Sequence, residues 1–182
     1  VEDLRGGDLV ATLTGEGARG AFGWRVSGTG RRAEDLRTPT GPLFNSGNRT
    51  GYLEAAGGYH GTTRDVELTV SSRDETIRIA DDPVSSPNYT GRQRIRTERF
   101  TLESNARRGE HRLHMQAGYE SNRRSEFEDA TTRDVTLGLH SRTAIAFANW
   151  HHAPWRGITG VVGTQVQHTD FRTFGEETLI PE

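Results

Sequence analysis

Between residues 111 and 120 the chain alternates without a slip. Leu113, Met115, Ala117 and Tyr119 fall on one parity, and Arg112, His114, Gln116, Gly118 and Glu120 on the other. Successive side chains of a β-strand point to opposite faces, so period two gathers the apolar groups on one side and the polar groups on the other. A helix would scatter the same residues around its circumference. The pattern recurs along the whole chain: Leu9, Ala11, Leu13; Phe22, Trp24, Val26; Leu53, Ala55, Gly57, Tyr59; Val66, Leu68, Val70; and Phe100, Leu102, Ser104, Ala106. It continues in Leu137, Leu139, Ser141, Thr143, Ile145, Phe147 and in Ile158, Gly160, Val162, Thr164, Val166. None of these positions is Asp, Glu, Arg or His, whereas the interleaved positions carry Arg25, Glu54, Asp65, Glu67, Glu103, Arg112, Glu120 and Arg142. Eight strands are predicted, at 6–14, 20–28, 50–60, 64–73, 94–106, 110–122, 134–151 and 157–169, and no helix.

Only 31% of the residues are hydrophobic and the mean hydropathy is -0.75. A soluble domain of this length would struggle to bury enough apolar area to offset its chain entropy, yet a disordered chain has no reason to keep a two-residue phase. No stretch approaches the ~20 apolar residues of a membrane helix. One dry and one wet face suit either a soluble antiparallel sandwich or a membrane barrel, and the connections separate the two. They run short, long, short, long, short, long, short: 15–19, 29–49, 61–63, 74–93, 107–109, 123–133 and 152–156. Outer-membrane barrels have short periplasmic turns and longer extracellular loops, while a sandwich has no reason to put every long loop at one end. The expected fold is therefore all-β, an antiparallel transmembrane β-barrel with lipid outside and a polar lumen inside. On this parity Leu113, Met115, Leu139 and Phe147 face lipid, and Gln116, His140 and Arg142 face the lumen.

Four segments, in order, carry a family resemblance: GPLFNSGNRTGYLEAAGGYHG at 41–61, HRLHMQAGYESNRRSEFED at 111–129, NWHHAPWRG at 149–157 and GVVGTQVQHTDFRTFGEETLIPE at 160–182. Together they resemble the barrel of TonB-dependent outer-membrane receptors, particularly the metal-chelate and zinc-type branch. The resemblance spans most of the chain and rests on the ordered set. Barrels of that kind have about 22 strands and a plugged lumen, so residues 1–182 read as an interior stretch of the barrel, with no plug domain, TonB-interacting box, signal peptide or closing terminal strand. The resemblance implies a place in the bacterial outer membrane and TonB-coupled uptake of a metal complex or similar scarce nutrient. The implied partners are outer-membrane lipid, that small ligand, and the TonB complex acting through a plug. Two alternatives stand beside it, a passive outer-membrane channel or small structural barrel, and a secreted β-sandwich binding module.

Candidate binding residues are few. His114 and His140 share the inward parity and could offer imidazoles to a metal across the lumen. Asp74, Glu75, Asp81 and Asp82, with the acidic run at 126–129, fall in predicted extracellular loops, where oxygen ligands could capture a cation or chelate and where mixed charge also suits a solvated loop. Gly15-x-Gly17-x-x-Gly20 matches a dinucleotide fingerprint on paper, but 21–27 continues as an alternating strand where the fingerprint needs a helix; a glycine-rich turn is the expectation. Trp150 and Trp155 are placed on either side of a short turn, resembling an interfacial aromatic girdle. No Gly-x-Ser-x-Gly, His-Glu-x-x-His or cysteine nucleophile is present, so neither an enzyme nor a resident cofactor is expected. A net charge of -2 without a basic stripe argues against a nucleic-acid partner.

Overall fold

The computed structural model describes residues 7–39, 41–80 and 89–177. Its strands are β1 (Asp8–Arg19), β2 (Phe22–Ala33), a small hairpin of β3 (Arg37–Thr38) and β4 (Gly41–Pro42), then β5 (Asn48–His60), β6 (Arg64–Arg78), β7 (Arg92–Arg108), β8 (His111–Phe127), β9 (Leu137–Trp155) and β10 (Ile158–Phe174). The eight long strands form one antiparallel sheet in the order β1-β2-β5-β6-β7-β8-β9-β10, so neighbours in sequence are neighbours in space. The sheet is not closed: β1 and β10 are its two edges. No helix occurs among the described residues.

Turn chemistry explains the meander. β1 and β2 are joined by Gly20-Ala21, and β7 and β8 by Gly109-Glu110, with glycine first at φ 61° and 60°. Positive φ at the first central residue is what a two-residue hairpin of this hand requires. Between β9 and β10 both central residues are left-handed, Arg156 at 51° and Gly157 at 78°. These tight turns and the 61–63 connection lie at one end of the sheet, and the connections 34–47, 79–91 and 128–136 at the other. The expected short and long alternation is thus present.

Most strands outrun their predicted bounds, and two readings change with them. The supposed glycine-rich turn at 15–19 is strand. Gly15 and Gly17 lie beneath the Trp24 indole, and a Cβ on Gly17 would stand 2.8 Å from Trp24 Nε1. The glycines are there for the ring, and no helix follows for a dinucleotide. Asp74 and Glu75, expected in a loop, belong to β6 and point to opposite faces of it.

The register corrects one strand's phase. Seven strands keep the predicted parity, but β9 pairs Met115 with Ala148, Ala117 with Ala146 and Ser121 with Arg142. Paired residues share a face, so His140, Arg142, Ala144, Ala146, Ala148 and Trp150 lie on the apolar face, and Leu139, Ile145 and Phe147 on the polar one. The misreading has a plain cause. Arg142 and the larger side chains together chose the phase, but Arg142 stands at the charged edge of the apolar face, from Thr143 to Ala148 both parities are uncharged, and the larger residues pack on the other side. Ile145 Cγ2 covers Gly118, 3.3 Å from where its Cβ would be, and the Phe147 ring packs on His114 with centroids 5.1 Å apart. Trp150 and Trp155 likewise do not bracket a turn: both are in β9, with Trp150 between Leu113 and Val162.

No hydrophobic side chain is buried among the described residues. The sheet is a single layer, and Leu13 is 81% exposed and Val166 67%.

Candidate functional site

The apolar face is where the sheet has most to hide. Along β6 the face is free of charge between Arg64 and Asp74, along β7 between Glu98 and Arg108, and along β9 between Arg142 and His152. Each interval is ten residues. At about 3.3 Å per residue that is roughly 33 Å measured along the strand.

The edges of this uncharged band cross the ladders obliquely. The ladder row that contains Arg32 and Arg49 runs through Thr76, Arg94, Ser125 and Gly138 to Phe174. On β2 and β5 that row is the first charged one above the band, yet on β10 the first ionisable residue is His168, six residues nearer the short turns. The lower edge descends in step. Arg19 of β1 shares its row with Thr164 of β10, and on β10 the face stays uncharged for six residues further, to Ile158. Six residues are about 20 Å, and the upper edge covers them over the six strand spacings from β2 to β10, about 29 Å, and the lower over the seven from β1, about 34 Å, which sets the band at about 31–35° to the perpendicular of the strands. Its height across that slope is then about 27–28 Å.

Aromatic rings stand toward the short-turn edge. Phe22 and Tyr59 are paired, with centroids 5.3 Å apart, and Trp24 and Trp150 share the face. The polar face is instead laced by cross-strand pairs: Arg25–Glu54 at 3.1 Å, Arg99 Nε–Glu120 at 2.9 Å, Asn122–Thr97 at 2.8 Å and Thr143–Thr169 at 3.2 Å. Its charges are mostly neutralised by neighbours while staying wet.

No protein-family model matches the sequence, and no curated protein is significantly similar to it.

Among the described residues, the predicted metal-ligand candidates do not come together. His114 lies on the polar face, where its Nδ1 donates to Asn105 Oδ1 at 2.8 Å and stands 3.7 Å from Glu103. His140 lies on the opposite face between Arg123 and Arg172, so the two imidazoles cannot meet across one lumen. Asp74 pairs with Arg94, its Oδ2 3.1 Å from Nε, and Glu75 pairs with Arg73 at 2.8 Å. Asp81 and Asp82 lie outside the described residues. Among the described residues no group of three His, Asp or Glu side chains is placed to hold a metal ion.

Asp129 has a local task. Its Oδ1 accepts from the Thr131 amide at 2.6 Å, the Thr131 hydroxyl at 2.8 Å and the Thr132 amide at 2.7 Å. Those bonds, the Thr131 hydroxyl foremost, hold its pKa below the usual carboxylate range. The carboxylate closes the turn after β8. One group escaped the sequence reading: Arg123, His140 and Arg142 stand together on the apolar face at and just past the upper edge of the band. Correct phasing of β9 was the missing signal.

Proposed function

We propose that this chain forms part of the wall of an outer-membrane β-barrel, with the uncharged band against lipid and the laced polar face against a solvent-filled or plugged interior. The oblique band carries the reading. Strands of membrane barrels tilt by about 35–45° and present an apolar belt about 25 Å tall with aromatic girdles; the band here slopes at about 31–35° with a height of about 27–28 Å. A soluble sandwich needs its apolar face covered by a second sheet and has no reason for a belt that cuts the ladders close to the tilt of a membrane barrel.

The long connections at one end supply an extracellular rim on which a ligand could be captured, since binding groups concentrate on loops held by a rigid scaffold. With the resemblance in the sequence, this favours a TonB-dependent receptor importing a metal complex or other scarce nutrient, whose barrel binds and gates while a plug couples to TonB. In the proposed wall β1 and β10 pair with further strands.

These 182 residues contain no cysteine, so once any cysteine elsewhere in the intact protein is replaced, a single introduced thiol reports its own position. The intact protein, labelled with an environment-sensitive dye at Leu113→Cys, Met115→Cys, Ala117→Cys, His114→Cys, Gln116→Cys or Gly118→Cys, is placed in vesicles containing a lipid-borne quencher. Odd positions should be quenched and even ones spared. Equal quenching, or none, removes the membrane wall.

A further inference from the structure

From the upper edge of the band outward, two rows of the apolar face read Glu98, Ser121, Arg142, Asp170 and then Arg96, Arg123, His140, Arg172 across β7 to β10. Two of the arginines are neutralised by neighbours on their own strand, Arg96 by Glu98 and Arg172 by Asp170, the latter at 3.1 Å. Arg123 and Arg142 have no carboxylate partner among the described residues. The Arg123 guanidinium lies over the Phe174 ring, 4.5 Å from its centroid, in a place that Gly138 leaves open. Arg142 Nε donates to His140 Nε2 at 3.4 Å, and the Ser121 hydroxyl stands 3.0 Å from the same nitrogen. Both guanidiniums are exposed, and they flank one imidazole.

Arg123 stands opposite Arg96 and diagonal to Arg142, and although Asp170 is opposite Arg142 that carboxylate is bonded to Arg172, so an anion between the two forks would offset their repulsion. A guanidinium presents a planar fork that fits phosphate in two-point contact, and two forks match the double charge of a phosphate monoester better than the single charge of a diester or carboxylate. The position selects the source. These groups are on the face that carries the uncharged band: Arg142 stands at its edge on β9, and Arg123 and His140 lie one row, roughly 7 Å along the strand, past it. That is headgroup depth if the band is in lipid.

We propose that Arg123, Arg142 and His140 bind the phosphate monoester of a lipid headgroup in the leaflet that meets the long-connection end of the sheet. The site rests on the membrane-wall reading and adds to it a lipid ligand on the outer surface, separate from any cargo in the interior. The two guanidiniums then supply the forks for one phosphate and the His140 Nδ1–H a further donor, while Nε2, accepting from Arg142 and Ser121, orients the imidazole and the Phe174 ring holds the Arg123 fork in place.

The intact protein in detergent is titrated with lipid A, which carries phosphate monoesters on a glucosamine disaccharide, with its dephosphorylated form, and with inorganic phosphate. Bound lipid is counted by native mass spectrometry. Lipid A should bind at least tenfold more tightly than the dephosphorylated lipid, and the Arg123→Gln/Arg142→Gln variant should lose that difference while Arg124→Gln, on the polar face, keeps it. Millimolar inorganic phosphate should not displace the lipid. Equal binding of the two lipids, or a double variant that still discriminates, overturns the site, and displacement by inorganic phosphate makes it a soluble-anion site instead. Dye quenching at Met115→Cys in vesicles is run on the same samples. Quenching without phosphate discrimination sinks this site alone, whereas absence of quenching sinks the wall and the site with it; retained quenching in the double variant certifies its fold.

Discussion

The phase of β9 can be tested by moving a single charge from one residue to the next. Ala146 lies between Arg142 and His152 on the apolar face, paired with Ala117 and Val166. At about 3.3 Å per residue and a slope of about 31–35° it sits about 11 Å below the upper charged edge and about 16–17 Å above the lower, close to the middle of the belt. An arginine facing lipid at that depth costs about 2–4 kcal/mol, falling to about 0–1 kcal/mol near an interface. Ala146→Arg should therefore lower the ratio of folded to unfolded protein by about 30- to 900-fold, since each 1.36 kcal/mol or so is tenfold. Ser72→Arg, on the same face but beside Glu98 at the upper edge, should cost no more than about 1 kcal/mol. Phe147→Arg puts the charge on the polar face between Gln116 and Gln165. It should lose only the ring contact with His114, about 0.5–1.5 kcal/mol. The assay is urea unfolding of the intact protein refolded into lipid vesicles, followed by tryptophan emission and by heat-modifiable gel mobility. A larger loss at Phe147→Arg than at Ala146→Arg would reverse β9 and with it the Arg123–His140–Arg142 cluster. Equal losses at 72 and 146 would remove the depth dependence on which the belt rests.

Three further outcomes are expected. Asp129 has a folded-state pKa lowered by the bonds it accepts, so its contribution to the turn is complete above the unfolded value of about 3.9 and is lost as pH falls through the lower folded value; the protection of the Thr131 and Thr132 amides, measured against their intrinsic exchange at each pH, should fall below about pH 4, and Asp129→Ala should remove that protection on both sides of the transition. Gly17→Val should drive the Trp24 indole off the apolar face, because a Cβ would stand 2.8 Å from its Nε1; a red shift in Trp24 emission, read with Trp150 and Trp155 replaced by Phe, checks this, and an unchanged spectrum contradicts the packing. Gly157→Val places a β-branched residue at φ 78° and should cost about 1–2 kcal/mol, whereas Glu110→Val beside the left-handed Gly109 should cost much less; equal unfolding midpoints for the two would contradict the turn geometry.

Eight strands, their order as successive hairpins, and the placement of long connections at one end were legible in the sequence, because parity and turn residues are local properties. The alternation in 111–120 needs no partner to be recognised, and glycine before the β8 strand marks a turn whatever packs on it. The apolar parity of β6 or β8 was equally secure, since charges on the other parity leave one choice. β9 had no such marker between Thr143 and Ala148, and there only the register with β8 decided which side faced which. Two consequences followed from that one strand. His114 and His140 parted to opposite faces, and Arg123, His140 and Arg142 came together. The slope of the uncharged band was likewise beyond the sequence alone, because it is a relation among ladder rows drawn from strands up to 142 residues apart, from Arg32 to Phe174. Sequence determined what each strand shows on its two faces; hydrogen-bonded register, a property of pairs of strands, decided which of those residues stand side by side.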